Sequence, residues 1–356
     1  MKRARTKIIC TLGPASSRIT VLRKMVTSGM DVARLNFSHG THKSHFEMIH
    51  FLRLINKKHR RKVLILQDLE GFRIRIGELG DKPGRKVELK KKQIIYLTNK
   101  RKDSGKNIIP FDYKGPLKDI KAGHDIYIDD GNIALRVRSV SEKYLKAVVI
   151  IPGTIKEHKG MNLPDTTLRF QGVLQKDRMD LAFGLKHNVD FVAQSFVRNK
   201  QDVLSIRDLI DLSGKKCQLI AKIENREGLE NLDGILDVVD GIMIARGDLG
   251  VSLPIHKIPI IQKLIIRRCK QRKKFVITAT QMLESMTDHI RPTRAEVSDV
   301  ANAIIDGSDY TMLSGETAAG KHPVDVVGMM NAIGRYTEDF LKIKNAKIDE
   351  LIKTAK

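Results

Sequence analysis

Eight short apolar runs recur along this chain, at 7–12, 32–36, 63–68, 189–194, 218–224, 241–246, 275–280 and 310–314. Most are continuously apolar rather than alternating, as a parallel strand covered on both faces requires. Between most of them lie stretches of helical period, among them 18–29, 44–57, 176–186, 203–212, 258–271 and 294–305. Eight βα units in succession predict an α/β fold, a closed (β/α)8 TIM barrel.

One interval breaks that rhythm. From Ile74 to Gly160 the text turns to short β-like pieces (93–97, 125–128, 133–137, 145–151) separated by Gly, Pro and Lys, with no helical period. It follows the third strand, so it is expected as an inserted β-rich domain at the C-terminal mouth of the barrel, where active sites of this architecture sit. The predicted division is 1–73 with 161–356 for the barrel and 74–160 for the insertion. An insertion at that place is positioned to act as a lid.

Composition narrows the function classes. Of 356 residues 41% are apolar, enough for a large core, and no apolar run approaches the ~18 residues of a membrane helix. The basic start MKRARTKIIC has too short an apolar stretch for a signal peptide, and Cys10, Cys217 and Cys269 are odd in number and far apart. Both point to a reducing cytoplasm. The formal charge of +24 allows nucleic acid, anionic lipid or phosphorylated small molecules as partners. Aromatics make up only 5% and Trp is absent, which weighs against base-stacking platforms.

The chemistry of a barrel is expected at its C-terminal strand ends. In order these offer Arg34, Asn36 and Ser38; Asp68; Phe196 and Arg198; Lys222 and Glu224; Arg246 and Asp248; Thr280; Ser314 and Glu316. Cations mixed with carboxylates suit a phosphate ester held beside a hard divalent metal. Lys222 and Glu224 are two apart on a strand and so share a face, although that spacing also suits a plain ion pair. In GIMIARGDLG (241–250) a strand runs into a tight turn at Gly247 and Asp248, whose amides can bind an anion or whose Asp can simply cap a helix. Glu224 and Asp248 end successive strands and leave room for a magnesium ion that keeps waters and takes substrate oxygens.

Two further patterns carry less. GETAAGK (315–321) narrowly misses a P-loop, because His322 stands where Ser or Thr would hold magnesium; it reads as a strand-to-helix loop. Among His39, His42, His45 and His50 no Cys or carboxylate completes a zinc set, and they read as a solvated helix start with His39 at a strand end.

Taken together, TKIICTLGPASS (6–17), MDVARLNFSHG (30–40), AKIENREG (221–228), GIMIARGDLG (241–250), ATQMLESM (279–286) and 291–323 resemble the pyruvate kinase family. YIDDG (127–131) and KGMNLP (159–164) resemble its lid. The resemblance implies phosphoryl transfer from phosphoenolpyruvate to ADP, followed by protonation of the enolate to pyruvate. It implies that Arg34 binds the substrate phosphate and that Lys222 neutralises charge on the transferring group. Glu224 and Asp248 would ligate Mg2+ or Mn2+. The amides of Gly247 and Asp248, with the Thr280 hydroxyl, would hold the substrate carboxylate. Thr280 would also start a proton relay with Ser314 nearby. Asn36, His39 and Arg75 would contact nucleotide phosphates, and Lys159 and Asp130 would descend with the lid.

Three departures stand out. Where the family commonly reads D-T-K-G-P-E-I-R, this chain reads Asp68-Leu69-Glu70-Gly71-Phe72-Arg73-Ile74-Arg75. The family's potassium site would use Asn36, Ser38, Asp68 and a Thr that is here Leu69, while Arg73 replaces the Glu associated with potassium dependence. Arg73 is therefore expected to stand in for the ion, and activity to need no potassium. His158 precedes Lys159 where many relatives carry Lys, which bears on nucleotide affinity and pH dependence. The sequence stops soon after the eighth helix, where relatives continue into a C-terminal effector domain. The expectation is a short form without that domain or its sugar-phosphate activation, with any homodimer built on barrel–barrel contacts.

The expected function is that of a minimal pyruvate kinase. The alternatives are an inactive phosphoenolpyruvate- or nucleotide-binding relative, against which Lys222, Glu224, Asp248 and Thr280 together argue; a nucleic-acid-binding protein on a reused barrel; and a metal-dependent lyase on a related barrel.

Overall fold

The computed structural model describes residues 3–59, 62–80, 84–100, 107–166 and 172–342. The end of the expected barrel domain, 343–356, lies outside them, as do 60–61 of the basic run 57–62. The barrel opens with β1 (Lys7–Thr11), β2 (Met30–Asn36) and β3 (Leu64–Asp68). The insertion contributes β4 (Ile74–Arg75), β5 (Lys86–Leu89), β6 (Ile94–Thr98), β7 (Ile108–Pro110), β8 (Asp125–Ile128) and β9 (Ile133–Val140). It continues with β10 (Leu145–Ile151), β11 (Gly153–Lys156) and β12 (Gly160–Asn162). The chain then returns through β13 (Phe191–Gln194), β14 (Gln218–Ile223), β15 (Gly241–Ala245), β16 (Phe275–Ala279) and β17 (Tyr310–Leu313).

Eight parallel strands close in the order β1-β17-β16-β15-β14-β13-β3-β2. Each apolar run read from the sequence is one of them. β2 starts two residues early because the Asp31 carboxylate accepts the Ile8 amide at 3.0 Å, so a charged residue serves within a strand. Inside the barrel, Ile9, Val32, Leu66, Ile220, Met243, Ile277 and Met312 form one apolar layer. Period-two alternation places Thr11, Arg34, Asp68, Lys222 and Ala245 on the same inner face one step nearer the mouth. The layer thus changes from apolar to charged where the strands end. Truncating Ile220 or Ile277 to Ala in the lower layer would cost about 2–5 kcal/mol.

The insertion has its own core, including Ile95, Leu97, Ile126, Leu135 and Ile155. Its main sheet runs β4-β12-β8-β9-β10-β6-β7, with β11 and β5 paired apart. β12 carries this sheet to Asn162, two residues beyond the expected end, since Met161 pairs with both Ile74 and Ile128. The short strands β4, β5, β7, β11 and β12 left too little alternation to be read from sequence, and a 3-10 turn at Leu117–Asp119 interrupts the β text.

Two local expectations change. The segment after β15 is a helix, Arg246–Ser252, rather than a tight turn. The histidine segment is not simply solvated: His45 is buried and stacks on Phe37 with ring centroids 4.1 Å apart, and His42 Nε2 lies 2.6 Å from Asp180.

The basic run 267–274 lies at the opposite end of the barrel from the mouth. Arg268 and Arg272 reach Asp233 and Asp237, Lys270 binds Asp309 at 2.6 Å, and Lys274 donates to the Val239 carbonyl at 2.7 Å. Much of the charge there is matched locally rather than offered to a polyanion.

Candidate active site

The polar centre at the mouth is organised around Asp68, at the end of β3 and fully buried. Arg34 Nε donates to Asp68 Oδ2 at 2.7 Å, and Arg34 Nη1 donates to Thr11 Oγ1 at 2.9 Å. From the other side Lys222 Nζ lies 3.2 Å from Asp68 Oδ1 and donates to Ser195 Oγ at 2.7 Å. Ser195 Oγ donates to the Leu69 carbonyl at 2.6 Å. Burial alone would raise the Asp68 carboxyl, but Lys222 and Arg34 outweigh it and hold it below its ordinary value. Burial disfavours the Lys222 ammonium, yet Asp68 and Glu224 together raise it above the ordinary lysine value, so it is charged at neutral pH.

Lys222 and Glu224 do share a face: Lys222 Nζ is 3.0 Å from Glu224 Oε1. Glu224 Oε2 accepts the Phe196 amide at 2.6 Å, from a residue held at φ 55°. Burial pushes the Glu224 carboxyl up, Lys222 pulls it down, and repulsion from Asp248 adds to the rise. Asp248 stands in the first turn of Arg246–Ser252, with Arg73 Nη2 3.6 Å away.

Thr280 follows β16 in the left-handed region, at φ 70°. A β-branched residue there is an outlier. Its Oγ1 accepts the Gly247 amide at 2.8 Å and donates to the Ala279 carbonyl at 2.6 Å. Arg246 fastens the turn by donating to the Thr280 carbonyl at 2.6 Å and to Asp299 at 2.7 Å. The Gly247 amide therefore faces Thr280 rather than standing open.

One cavity takes in Arg34, Asn36, Ser38, Lys222, Glu224 and Asp248, with Thr280 and Arg73 on its wall. Phe196 also lines it, whereas Arg75, Lys159, Asp130, His39 and Ser314 lie outside it. Arg75 Nη2 is bound to Glu70 at 2.7 Å and lines a separate cleft in the insertion with His158. Lys159 pairs with Asp129 at 2.6 Å, while the neighbouring Asp130 takes Arg73 at 2.9 Å. His39 is exposed, and its carbonyl accepts from His45. Ser314 Oγ is buried with no hydrogen-bond partner among the described residues.

Arg73 joins insertion to mouth. It touches Asp130 of the insertion and Asp248 of the barrel, and packs so closely on Gly160 that a Cβ there would come within 2.6 Å of Arg73 Nε. The root turns at Gly71, at φ 69°, where a Cβ would meet the Ser195 carbonyl at 2.7 Å. Gly71 is required by its positive φ and its close approach to backbone, whereas a Cβ at Gly160 would displace the Arg73 guanidinium.

Sequence reasoning passed over Ser195, Thr11 and Glu70 and gave Arg246 no role. Ser195 carries no motif of its own; its position one residue past β13, level with Lys222 in the parallel register, was the available signal.

The barrel-domain model of pyruvate kinase matches residues 3–327. The chain belongs to the pyruvate kinase family. It is 45% identical over 350 residues to a pyruvate kinase of Geobacillus stearothermophilus, covering 96% of this chain and 58% of that protein. The pyruvate kinases of Clostridium perfringens and Thermococcus litoralis are 45% and 44% identical over 336 residues, 94% of this chain and 70% of each. The chain thus spans 58 to 70% of the length of these pyruvate kinases. Among the described residues no helix is long and apolar enough to cross a membrane.

Proposed function

We propose that this chain catalyses phosphoryl transfer from phosphoenolpyruvate to ADP, giving pyruvate and ATP as in glycolysis. The observation that carries this reading is the single cavity in which Arg34, Lys222, Glu224, Asp248 and Thr280 converge. Phosphoryl transfer asks little covalent work of a protein; it asks for positioning and for compensation of charge spread over the transferring group.

Arg34, held by Asp68 and Thr11, binds the substrate phosphate from a preset direction. Lys222 sits with its charge partly satisfied by Asp68 and Glu224 and offers the rest to the phosphoryl group and the enolate oxygen. Asn36 at the wall, with His39 and Arg75 reached on closure, contacts the nucleotide phosphates; Lys159 approaches from the insertion. Thr280, with the Gly247 and Asp248 backbone, orients the substrate carboxylate and passes the proton that converts enolate to pyruvate.

Glu224 and Asp248 suit a divalent cation, Mg2+ or Mn2+. They repel each other across the cavity, and two carboxylates with waters and substrate oxygens are the set that magnesium prefers. Among the described residues no cluster of three or more His, Cys, Asp or Glu forms a complete protein cage, which agrees with an ion shared with substrate. When bound, the ion supplies positive charge opposite the phosphoryl oxygens.

Potassium is not required in this reading. Asp68, which would belong to the monovalent-cation set with Asn36 and Ser38, already has Arg34 and Lys222 as cationic partners, and Arg73 adds a fixed charge at the same mouth. The enzyme works in the cytoplasm, and a homodimer would use barrel surfaces such as the exposed Ile260 and Leu264. A coupled assay for pyruvate from phosphoenolpyruvate, ADP and Mg2+ or Mn2+ tests the proposal, with Lys222→Met as control. Turnover abolished by that variant is the expected result. No pyruvate with either metal rejects it.

A further inference from the structure

Glu70 is a carboxylate on the wall of a cavity otherwise suited to polyanions. Two cations hold it. Oε1 accepts from Arg75 Nη2 at 2.7 Å, and Oε2 lies 3.3 Å from Lys176 Nζ. Arg75 belongs to β4, the first strand of the insertion, whereas Lys176 is on the barrel helix Gln175–Lys186. Lys176 is further tied to the Phe37 carbonyl at 2.7 Å and to Asp180 at 2.6 Å. Both cations remain partly open, with side chains 25% and 50% exposed, so an incoming anion can reach them without desolvating a buried pair.

We propose that Glu70 is an internal anion that occupies Arg75 and Lys176 in the nucleotide-free protein and is displaced by the phosphates of a nucleoside diphosphate, so that it sets nucleotide affinity. A carboxylate tethered beside two cations competes at high effective concentration with any free phosphate. Neutralising it removes one carboxylate from Arg75 and from Lys176, which keeps Asp180, and makes both more attractive to a polyanion. Displacement also frees Arg75, which links nucleotide arrival to β4, the strand that carries it. This inference rests on the reading of Arg75 as a nucleotide contact.

The test separates it from a plain structural tie between insertion and barrel. Glu70→Gln and Glu70→Asp are compared with the parent chain in initial-rate KM for ADP and for phosphoenolpyruvate, and in calorimetric titration with inorganic pyrophosphate. Glu70→Ala gives a second neutral variant should Glu70→Gln fail to fold. The neutral variant should lower both the KM for ADP and the pyrophosphate Kd by about two- to fivefold, the scale of a partly exposed ion pair. The KM for phosphoenolpyruvate should stay in place, and Glu70→Asp should track the parent. An unchanged or raised pyrophosphate Kd overturns the inference. Absence of pyruvate formation by the parent chain would reject the proposed reaction instead, and the titration would still read Glu70.

Discussion

The Arg246 guanidinium reaches across from the end of β15 and donates to the Thr280 carbonyl at 2.6 Å, beyond the end of β16. It also binds the Gln281 carbonyl at 3.2 Å and Asp299 at 2.7 Å, so one side chain closes the turn in which Thr280 and Gln281 both have positive φ. Such a conformation costs about 1–3 kcal/mol for a β-branched residue and persists only where the surroundings hold it.

Arg246→Lys keeps a cation but cannot span both carbonyls and Asp299 at once. It should lower kcat by about tenfold or more, with a smaller change in the KM for ADP, because a misplaced Thr280 affects the chemical step. Steady-state kinetics beside a thermal melt make the check. A large loss of stability with unaltered kcat would show that Arg246 is only a structural anchor.

Lys222→Met should abolish turnover and also weaken the fold. It removes the cation from between two buried carboxylates; Asp68 keeps Arg34, whereas Glu224 keeps the Phe196 amide and the repulsion of Asp248. Breaking a buried pair on one side typically costs about 3–5 kcal/mol, less here because Arg34 remains. Asp68 is held below its ordinary value in the fold, so its contribution is present above the unfolded pKa and is lost as pH falls through the folded one. Chemical denaturation at pH 7 should show Lys222→Met less stable than the parent, and Lys222→Met with Glu224→Gln partly restored.

The barrel was legible because its strands are buried on both faces and separated by amphipathic helices, a pattern that survives without knowledge of contacts. Lys222 and Glu224 were legible for a related reason, since period two fixes which side chains share a face. Gly247 was harder: the same glycine that suggests a turn also tolerates a helix start, and only the following five residues make it a helix. Ser195, Glu70 and Arg246 could not be assigned roles from text, because their partners lie on other strands, on helices or on the insertion. The charge of +24 misled in part, since Arg268, Lys270 and Arg272 meet acidic residues far away in sequence.

Replacing potassium by tetramethylammonium at equal ionic strength should leave the rate unchanged. Arg34 and Lys222 already compensate Asp68, and Leu69 is buried and offers no side-chain oxygen. Chelation of divalent ions should, by contrast, remove activity, with restoration by Mg2+ or Mn2+. A strong potassium requirement in the coupled assay would refute the role given to Arg73.

Asp177 should make stability fall as pH rises through the mildly acidic range. It is buried in the first turn of Gln175–Lys186, where it accepts the Gly71 amide at 3.3 Å. Burial pushes its carboxyl up to about 6, opposed by the Gly71 amide and Lys176 and assisted by Asp180 and Glu70. With the folded value above the unfolded one, the native state holds the proton longer, and ionisation between roughly pH 4 and 6 favours the unfolded chain. The penalty is on the order of 2 kcal/mol above that window. Asp177→Asn keeps an acceptor for the Gly71 amide without a charge to bury. It should therefore melt several degrees higher than the parent at pH 8 and near the parent temperature at pH 4.5. Equal melting temperatures at pH 8 would show that Asp177 is ionised at little cost, with Lys176 supplying enough compensation at the root of the insertion.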